Sequence, residues 1–233
     1  MSMLSNGLEG ANLTAKNTPK EILRILRSSF SPSSWMSLTK DPFRILVKTV
    51  LSQATTDRNA AAAFRKLSAR FRITPKSLAK ADVREIEKAI VIAGLHRNKS
   101  RAIKDISRKV LEQFDGSMGF IYSTQFEEAR KALLDLPGVG PKTADVVLLF
   151  CTDTPTIPID THVKRVSKRL GLVPPNASYE TIRRALQSLY TPKDYLSVHL
   201  MLISLGREYC RARKLLCIRC PLSKLCPSRQ MED

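Results

Sequence analysis

The sequence predicts an all-α fold, and three observations lead to that class. Apolar residues recur at helical spacing along most of the chain, as in the stripe of Ile22, Leu26 and Phe30. Proline or a capping side chain stands just before most of these stripes, which is typical of helix starts. No segment shows the sustained alternation of apolar and polar residues, enriched in β-branched types, that a half-buried strand requires.

The helices can be placed in order from their start signals. Thr18-Pro19-Lys20-Glu21 predicts a capping box with proline at the first helical position, Asp41-Pro42 predicts a second start, and a third helix is expected after Asp57. Further helices are expected after Thr74-Pro75 and Asp82, over 103–114 and 126–136, and over 161–170, 178–190 and 192–205. Gly171 stands where a helix C-terminal glycine belongs.

Two segments without helical pattern flank or divide the chain. The proline-interrupted segment TDTPTIPID, at 152–160, is the best candidate for a hinge between two lobes. Residues 1–17 are expected to form a flexible basic tail. They do not read as a signal peptide, because they have neither its basic start nor its apolar stretch. No apolar run approaches the roughly 20 residues that span a bilayer. We therefore expect the protein to stay in the compartment where it is made.

The charge balance indicates a polyanionic partner. Lysine and arginine number 39 against 21 aspartates and glutamates, an excess of 18 positive charges. Such an excess suits nucleic acid or an anionic membrane surface. The basic residues are spread along the whole chain, which favours a folded surface that lies along a phosphate backbone over a polybasic membrane anchor.

Four cysteines crowd into the C-terminal part with the spacing C-x6-C-x2-C-x5-C, and they are Cys210, Cys217, Cys220 and Cys226. These loops are short enough for the thiolates to converge on one centre. Tetrahedral zinc and a 4Fe–4S cluster both fit, and the cluster is favoured because zinc sites usually pair their cysteines in two close couples. Disulfides are a third, disfavoured interpretation without a secretory signal. Cys151, on an apolar helix face, is expected to be a core residue.

The sharpest local signal is LPGVGPKTA at 136–144, with two glycines around one apolar residue between predicted helices. Gly138 and Gly140 would let the backbone turn tightly. They would also leave N–H groups at the start of the next helix open to a phosphate. The alternative is an ordinary connection between two helices, with no ligand.

Two residues near this hairpin are candidates for chemistry. Lys142 falls in the first turn of the predicted helix, where it would be either a phosphate contact or a nucleophile. A nucleophile requires a neutral amine, which the helix dipole, partial burial and neighbouring cations would favour. Asp160 ends the hinge, where it could cap the next helix. Its carboxylate could also accept a proton or stabilise a developing cation in a groove between the lobes.

The chain resembles the endonuclease III family of DNA glycosylases from about Thr18 to Cys226. Three features carry the resemblance together: the glycine hairpin, the proline-rich segment that ends in Asp160, and the four C-terminal cysteines. The resemblance implies two helical lobes with a DNA groove between them. One would be a six-helix barrel over 34–154 that contains the helix–hairpin–helix. The other, over 18–33 plus 155–233, would hold the 4Fe–4S cluster on the four cysteines. Lys142 would be the Schiff-base lysine and Asp160 the catalytic aspartate.

The resemblance also implies residues that contact DNA. LSQATTD matches a stretch whose glutamine, here Gln53, enters the gap left by the flipped base. AGLHRNKS matches a loop whose leucine, here Leu95, wedges into the opposite strand. The full implied set is Gln53, Leu95, Gly138, Val139, Gly140 and Thr143. The chain departs from the family pattern at an insertion near 116–125, before the hairpin.

The implied function is a bifunctional DNA glycosylase and AP lyase of base excision repair. It would remove oxidised or ring-saturated pyrimidines through a lysine Schiff base and cut the strand by β-elimination. The alternatives are a monofunctional mismatch glycosylase on the same scaffold and a non-catalytic DNA-binding protein. If Lys142 is not the nucleophile, another amine near the groove, such as Lys99 or the chain terminus, is the next candidate.

The implied partner is double-stranded DNA with a damaged base or an abasic site. We expect a monomer that does not associate with membranes. It would lie in the cytoplasm with the nucleoid in a prokaryote, and in the nucleus or mitochondrion in a eukaryote.

Overall fold

The computed structural model describes residues 19–30, 39–152 and 156–230, which form helices, 3₁₀ turns and loops with no strand among them. The prediction of an all-α fold is therefore confirmed. The tail predicted over 1–17, Thr18 of the first capping box and residues 153–155 of the hinge lie outside the described residues. No helix within the described ranges is long and apolar enough to cross a bilayer.

The chain divides into two compact units. One is Ser37–Pro158, and the other joins Met1–Met36 to Ile159–Asp233. The described helices are, in chain order, α1 (Pro19–Ser29), α2 (Pro42–Ser52), α3 (Asp57–Arg70), α4 (Pro75–Lys80), α5 (Val83–Ile90), α6 (His96–Phe114), α7 (Phe120–Ser123), α8 (Phe126–Leu134), α9 (Pro141–Cys151), α10 (Thr161–Arg169), α11 (Tyr179–Leu189) and α12 (Tyr195–Glu208). Short 3₁₀ turns at Val91–Ala93 and Pro192–Asp194 precede α6 and α12.

Most helices begin where the sequence predicts, because the starts depend on local capping groups. Asp41 Oδ1 accepts a hydrogen bond from the first turn of α2 at 3.1 Å, and Asp82 Oδ1 accepts one from the first turn of α5 at 2.7 Å. The third helix starts one residue earlier than expected. Asp57 is its first residue, and the cap is Thr56, whose Oγ1 accepts from Asn59 N at 3.2 Å.

The helix predicted over 192–205 starts later than expected. Pro192–Asp194 form a 3₁₀ turn, and the α-helix begins at Tyr195. Thr191 Oγ1 donates to Asp194 Oδ2 at 2.6 Å, and Arg27 of α1 pairs with Oδ1 of the same carboxylate at 2.7 Å. These contacts hold the tight turn in place, so α-helical geometry starts only after it.

The core of the Ser37–Pro158 unit holds α9 firmly. This helix packs against α2, and Leu148 of α9 is almost fully buried, as are Leu46 and Leu51 of α2. Burying each such side chain contributes roughly 1.5–3 kcal/mol. Cys151 is also buried, which confirms its prediction as a core residue. The helix that follows the hairpin is therefore a rigid support.

The insertion near 116–125 folds onto the same unit. It contains α7, whose first residue Phe120 stacks on Phe114 with ring centroids 4.2 Å apart. Tyr122 Oη donates to Lys40 O at 3.1 Å, which ties the insertion to the segment just before α2.

In the other unit, α10 and α1 both pack against α12. The end of α10 is a Schellman motif, as Gly171 predicts. Gly171 N donates to Lys168 O at 3.1 Å, and Leu172 N donates to Ser167 O at 3.0 Å. Gly171 has a φ of +69°, which residues with a Cβ rarely adopt. This stop directs the chain away from α10 toward α11.

Candidate functional site

The glycine hairpin joins α8 to α9, and its first glycine is required by backbone conformation. Gly138 has a φ of +72°, in the left-handed region. Val139 N donates to Leu136 O at 3.1 Å, which closes the turn. Leu136 and Val139 bury their side chains in the core of the unit. The hairpin is therefore held in place by apolar side chains that pack in the core of this unit.

The second glycine leaves space at a helix start. Gly140 is the N-cap of α9 with extended backbone, at φ −94°. A Cβ at this position would meet no atom within 4 Å. The N-terminal end of α9 is thus open to close approach, and helix N-termini favour anions. Phosphate contact at Gly138 and Gly140 stays a prediction that this geometry favours.

Val139 and Thr143 present little to a ligand. Their exposed fractions are 6% and 3%. Thr143 N also donates within the helix start, to Gly140 O at 2.9 Å. Their DNA contact stays a prediction, which the burial of both side chains does not favour.

Lys142 is the second residue of α9, in the first turn, as the sequence predicts. Its side chain is half-buried, whereas residues 143–149 that follow are all buried. The amine is therefore carried by a well-packed helix start, at the positive end of the helix dipole. Its role as nucleophile stays a prediction.

A buried ion pair that sequence analysis missed joins the two helices of the hairpin. Arg130 of α8 donates through Nε to Asp145 Oδ1 of α9 at 2.7 Å. In the sequence, the only indication of this pair is that a charged residue falls on the apolar face of each helix. Because many helices of this chain carry charged residues, that indication does not single out Arg130 and Asp145. The pair lies three residues beyond Lys142 along α9.

Asp160 is the N-cap of α10, and that structural prediction is confirmed. Its Oδ1 accepts from Val163 N at 2.7 Å, and the side chain is half-buried. Ile159 beside it is buried, and Ile159 N donates to Tyr179 Oη at 3.3 Å. The cap uses one carboxylate oxygen, so a second oxygen remains for other chemistry. The catalytic role stays a prediction.

Two arginines fasten α10 to the loop that carries the first C-terminal cysteine. Arg165 donates through Nε to Cys210 O and through Nη2 to Gly206 O, both at 2.9 Å. Arg169 Nη1 donates to Arg211 O at 2.7 Å and lies 3.5 Å from Cys210 Sγ. The helix that Asp160 caps is therefore held by the cysteine-bearing segment.

The four C-terminal cysteines line one pocket, together with apolar side chains such as Leu170 and Leu205. None of them forms a disulfide, so the disulfide alternative has no support. Burial raises the pKa of the Cys220 thiol to about 11, and the other three cysteines contribute in the same direction. The thiols are therefore close enough to interact, as ligands of one centre must be.

The spacing of these thiols bears on what they could hold. Within the part of the chain that the structure describes, no group of three His, Cys, Asp or Glu side chains could hold a single metal ion. A tetrahedral zinc needs sulfurs about 3.8 Å apart, because each Zn–S bond is about 2.3 Å. A 4Fe–4S cluster takes the same number of thiolates, each of which binds a different iron.

One hydroxyl at the pocket also lacks a partner. Ser223 lines the pocket, and its Oγ is buried without a hydrogen bond. Four free thiols around one pocket are the donor set that a tetrahedral zinc or a 4Fe–4S cluster requires.

Gln53 and Leu95 both lie on exposed turns of the Ser37–Pro158 unit. Gln53 follows α2, and the next residue, Ala54, has a φ of +49°. Leu95 precedes α6 with a φ of +47°, and its side chain is 58% exposed. Insertion of these two residues into DNA stays a prediction.

Lys99 is not the accessible amine that the sequence suggested. Its Nζ donates to Leu51 O at 2.9 Å and to Ala93 O at 2.8 Å. Burial lowers the pKa of its ammonium group, but the group is enclosed, with the residue only 3% exposed. The prediction that Lys99 could replace Lys142 as nucleophile is wrong for this reason.

Comparison with known proteins gives consistent matches over most of the chain. Residues 47–192 match a family described as HhH-GPD superfamily base excision DNA repair protein. Endonuclease III of Sulfolobus acidocaldarius is 35% identical over 208 residues, which cover 89% of this chain and 91% of that protein. Endonuclease III of Thermotoga maritima is 37% identical over 186 residues, which cover 80% of this chain and 83% of that protein.

Solved structures agree with these relatives. A trapped endonuclease III–DNA covalent intermediate is similar to this chain with a TM-score of 0.78 at 31% identity. The match covers 91% of this chain and 96% of that one. The similarity therefore extends beyond the hairpin to nearly the whole fold.

Proposed function

The chain belongs to the endonuclease III family of the HhH-GPD superfamily of base excision DNA repair proteins, and from this we propose that it is a bifunctional DNA glycosylase and AP lyase. The proposed substrates are oxidised or ring-saturated pyrimidines in double-stranded DNA. One observation carries the lyase part of the proposal. Lys142 lies in the first turn of α9, directly after the glycine hairpin, where a bound phosphate backbone would come close.

Lys142 performs the covalent chemistry in this proposal. Its neutral amine attacks C1′ of the damaged nucleotide, and the glycosidic bond breaks with its electron pair leaving on the base. A proton then passes from nitrogen to O4′ as the C1′–O4′ bond breaks, which gives a protonated Schiff base between Nζ and C1′ and a free 4′-hydroxyl. The iminium acidifies the C2′ proton, whose removal expels the 3′ phosphate by β-elimination. Hydrolysis then frees Lys142.

Asp160 assists this chemistry through its charge. A carboxylate can accept the proton that the lysine must lose, or stabilise the positive charge that develops on the sugar. The N-cap hydrogen bond to Val163 N orients the group and leaves its second oxygen for this purpose. Capping and catalysis are thus compatible roles for one residue.

Gln53 and Leu95 open the duplex in this proposal. Leaving the stack costs a nucleotide a few kcal/mol, and damaged pairs reduce that cost. Gln53 would fill the vacated position, and Leu95 would wedge into the opposite strand, as apolar side chains do in kinked DNA. Their exposure on turns of one unit supports the assignment.

We also propose that Cys210, Cys217, Cys220 and Cys226 hold a 4Fe–4S cluster. The shared pocket, the four free thiols and the unsatisfied Ser223 hydroxyl support it. When bound, the cluster supplies a cross-link among the C-terminal loops and no step of the lyase reaction. Arg165 and Arg169 would transmit that rigidity to the helix that Asp160 caps.

Incubation with a thymine-glycol duplex and an abasic duplex, with and without borohydride, tests the proposed activity. A bifunctional enzyme releases the base, cuts the strand and forms a stable adduct when borohydride reduces the Schiff base. A monofunctional glycosylase would release a base from its own substrate without cutting or trapping. A non-catalytic binding protein would do neither, and either result would overturn the proposal.

A further inference from the structure

Lys99 connects the ends of two short structural elements that lead into the proposed DNA-inserting residues. Its Nζ bonds to Leu51 O, near the end of α2, and to Ala93 O, at the end of the 3₁₀ turn. Gln53 follows Leu51 by two residues, and Leu95 follows Ala93 by two residues. In each case, therefore, the ammonium group bonds to the carbonyl two residues before the proposed inserting residue.

Both turns need external support, because each contains a residue with a Cβ in the left-handed region. Ala54, next to Gln53, has a φ of +49°, and Leu95 itself has a φ of +47°. Such conformations persist only where the surroundings hold them. Both side chains are exposed, so their own packing supplies little of that support. The Lys99 contacts lie just upstream of each strained position.

The environment of the Lys99 ammonium group explains how it holds both ends. It is buried, and the carbonyl ends of α2 and of the 3₁₀ turn face it with their partial negative charges. Hydrogen bonds with a charged donor are stronger than neutral ones. Losing either bond would remove a charged donor from one carbonyl and leave the buried ammonium group with one hydrogen bond fewer, so the two chain ends are held near each other.

We propose that Lys99 is a positioning residue that sets the spacing of Gln53 and Leu95, so that both enter the duplex together as the damaged nucleotide leaves the stack. The proposal rests on the insertion of those two residues. Lys99 itself contacts neither DNA nor the reacting atoms.

Lys104 provides a matched control on the same helix. Its Nζ also donates to a carbonyl that ends a helix, Ala81 O at the end of α4. No residue next to that carbonyl has a proposed DNA contact. Lys99→Met and Lys104→Met therefore remove the same kind of interaction, and only the first affects the inserting turns.

The first measurement compares single-turnover base excision from a paired lesion duplex and from the same lesion inside a small unpaired bubble. Misplacing a positioned group by about 1 Å can cost about 100-fold in rate, and we expect Lys99→Met to lose about 10- to 100-fold on the paired duplex. Excision from the bubble does not require Gln53 and Leu95 to enter a duplex, so the rate of Lys99→Met on that substrate should stay near the wild-type value. The fluorescence rise of 2-aminopurine placed opposite the lesion should disappear as well. Lys104→Met should retain all three signals.

A double-mutant cycle separates positioning from a general loss of structure. In proteins that already carry Gln53→Ala and Leu95→Ala, Lys99→Met should have little further effect on the paired duplex. If Lys99→Met lowers the excision rate equally on the paired and the bubble duplex, and equally with and without Gln53→Ala and Leu95→Ala, the positioning role is wrong. Urea unfolding of each variant accompanies these rates, and Lys99→Gln replaces Lys99→Met if the methionine variant does not fold.

The cycle also distinguishes this inference from the proposal beneath it. If Gln53→Ala and Leu95→Ala excise at the wild-type rate, insertion itself is wrong and the role of Lys99 falls with it. If those variants are slow while Lys99→Met is not, only the inference about Lys99 is wrong.

Discussion

Arg130 of α8 and Asp145 of α9 form a buried ion pair, with Nε and Oδ1 2.7 Å apart and side chains 9% and 0% exposed. The two helices flank the glycine hairpin, so the pair joins them directly across it. Separating the two helices would part these charges in an interior that solvates them poorly, so the separation costs free energy. The ion pair thereby helps to fix the position of α9, whose first turn carries Lys142.

Removing one member of this pair should destabilise the protein strongly. Asp145→Ala should lower the free energy of unfolding by about 3–5 kcal/mol, because it removes the carboxylate that a buried guanidinium group contacts at 2.7 Å. Urea unfolding followed by circular dichroism measures the loss. The double variant Arg130→Met with Asp145→Leu should recover most of it, since apolar side chains often replace a buried pair. Equal stability of the single and double variants would contradict this account.

Lys142→Gln should abolish the borohydride adduct on abasic and thymine-glycol duplexes, because the amide cannot form a Schiff base. Its affinity for undamaged duplex should change little, since one cation among 39 contributes little to binding. Gel analysis of the adduct and a binding titration at fixed salt check both statements. Lys80→Gln, at an exposed lysine on α4, is the control and should trap normally. Normal trapping by Lys142→Gln would show that another amine is the nucleophile.

Asp160→Asn separates the two roles of that residue. Asparagine caps a helix about as well as aspartate, so the thermal midpoint should hold. Loss of the charge should lower single-turnover excision about 100-fold or more if the carboxylate is a positioned acid–base group. Wild-type turnover in a stable Asp160→Asn protein would leave capping as the only role.

The two hairpin glycines should respond differently to alanine. Gly138→Ala places a Cβ in the left-handed region and should cost roughly 1–2 kcal/mol of stability. Gly140→Ala meets no atom of the protein and should fold normally, but its Cβ would stand where a phosphate approaches the start of α9. Urea unfolding and duplex binding measure the two effects. Binding by Gly140→Ala should weaken on every duplex alike, and an effect on one base sequence alone would indicate base recognition instead.

The cysteine pocket should hold iron. Anaerobically purified protein should carry about four irons and four sulfides per chain. Cys217→Ser should lose the iron and the folding of the C-terminal loops, because ligation and folding are coupled. Cys151→Ala, which alters a buried cysteine in the other unit, should keep its iron. Stoichiometric zinc in protein that has never lost iron would overturn the cluster assignment.

The starts of most helices and the resemblance to a family both follow from short stretches of sequence. A capping side chain and the N–H that it binds are only two or three residues apart, as at Asp41, Asp82 and Asp160. The hairpin glycines and the cysteine spacing are likewise properties of short segments. Such features depend on local chemistry, so they can be identified before the fold is known.

Which charged groups are enclosed, and what they hold together, depends on how distant parts of the chain pack. Arg130 and Asp145 are 15 residues apart, and Lys99 reaches a carbonyl 48 residues away. In sequence, Lys99 resembles any other lysine near the DNA-facing loops, which makes it a candidate nucleophile there. The groups that surround a buried charge come from distant parts of the chain, so its burial, its partners and its role exist only once the helices have packed.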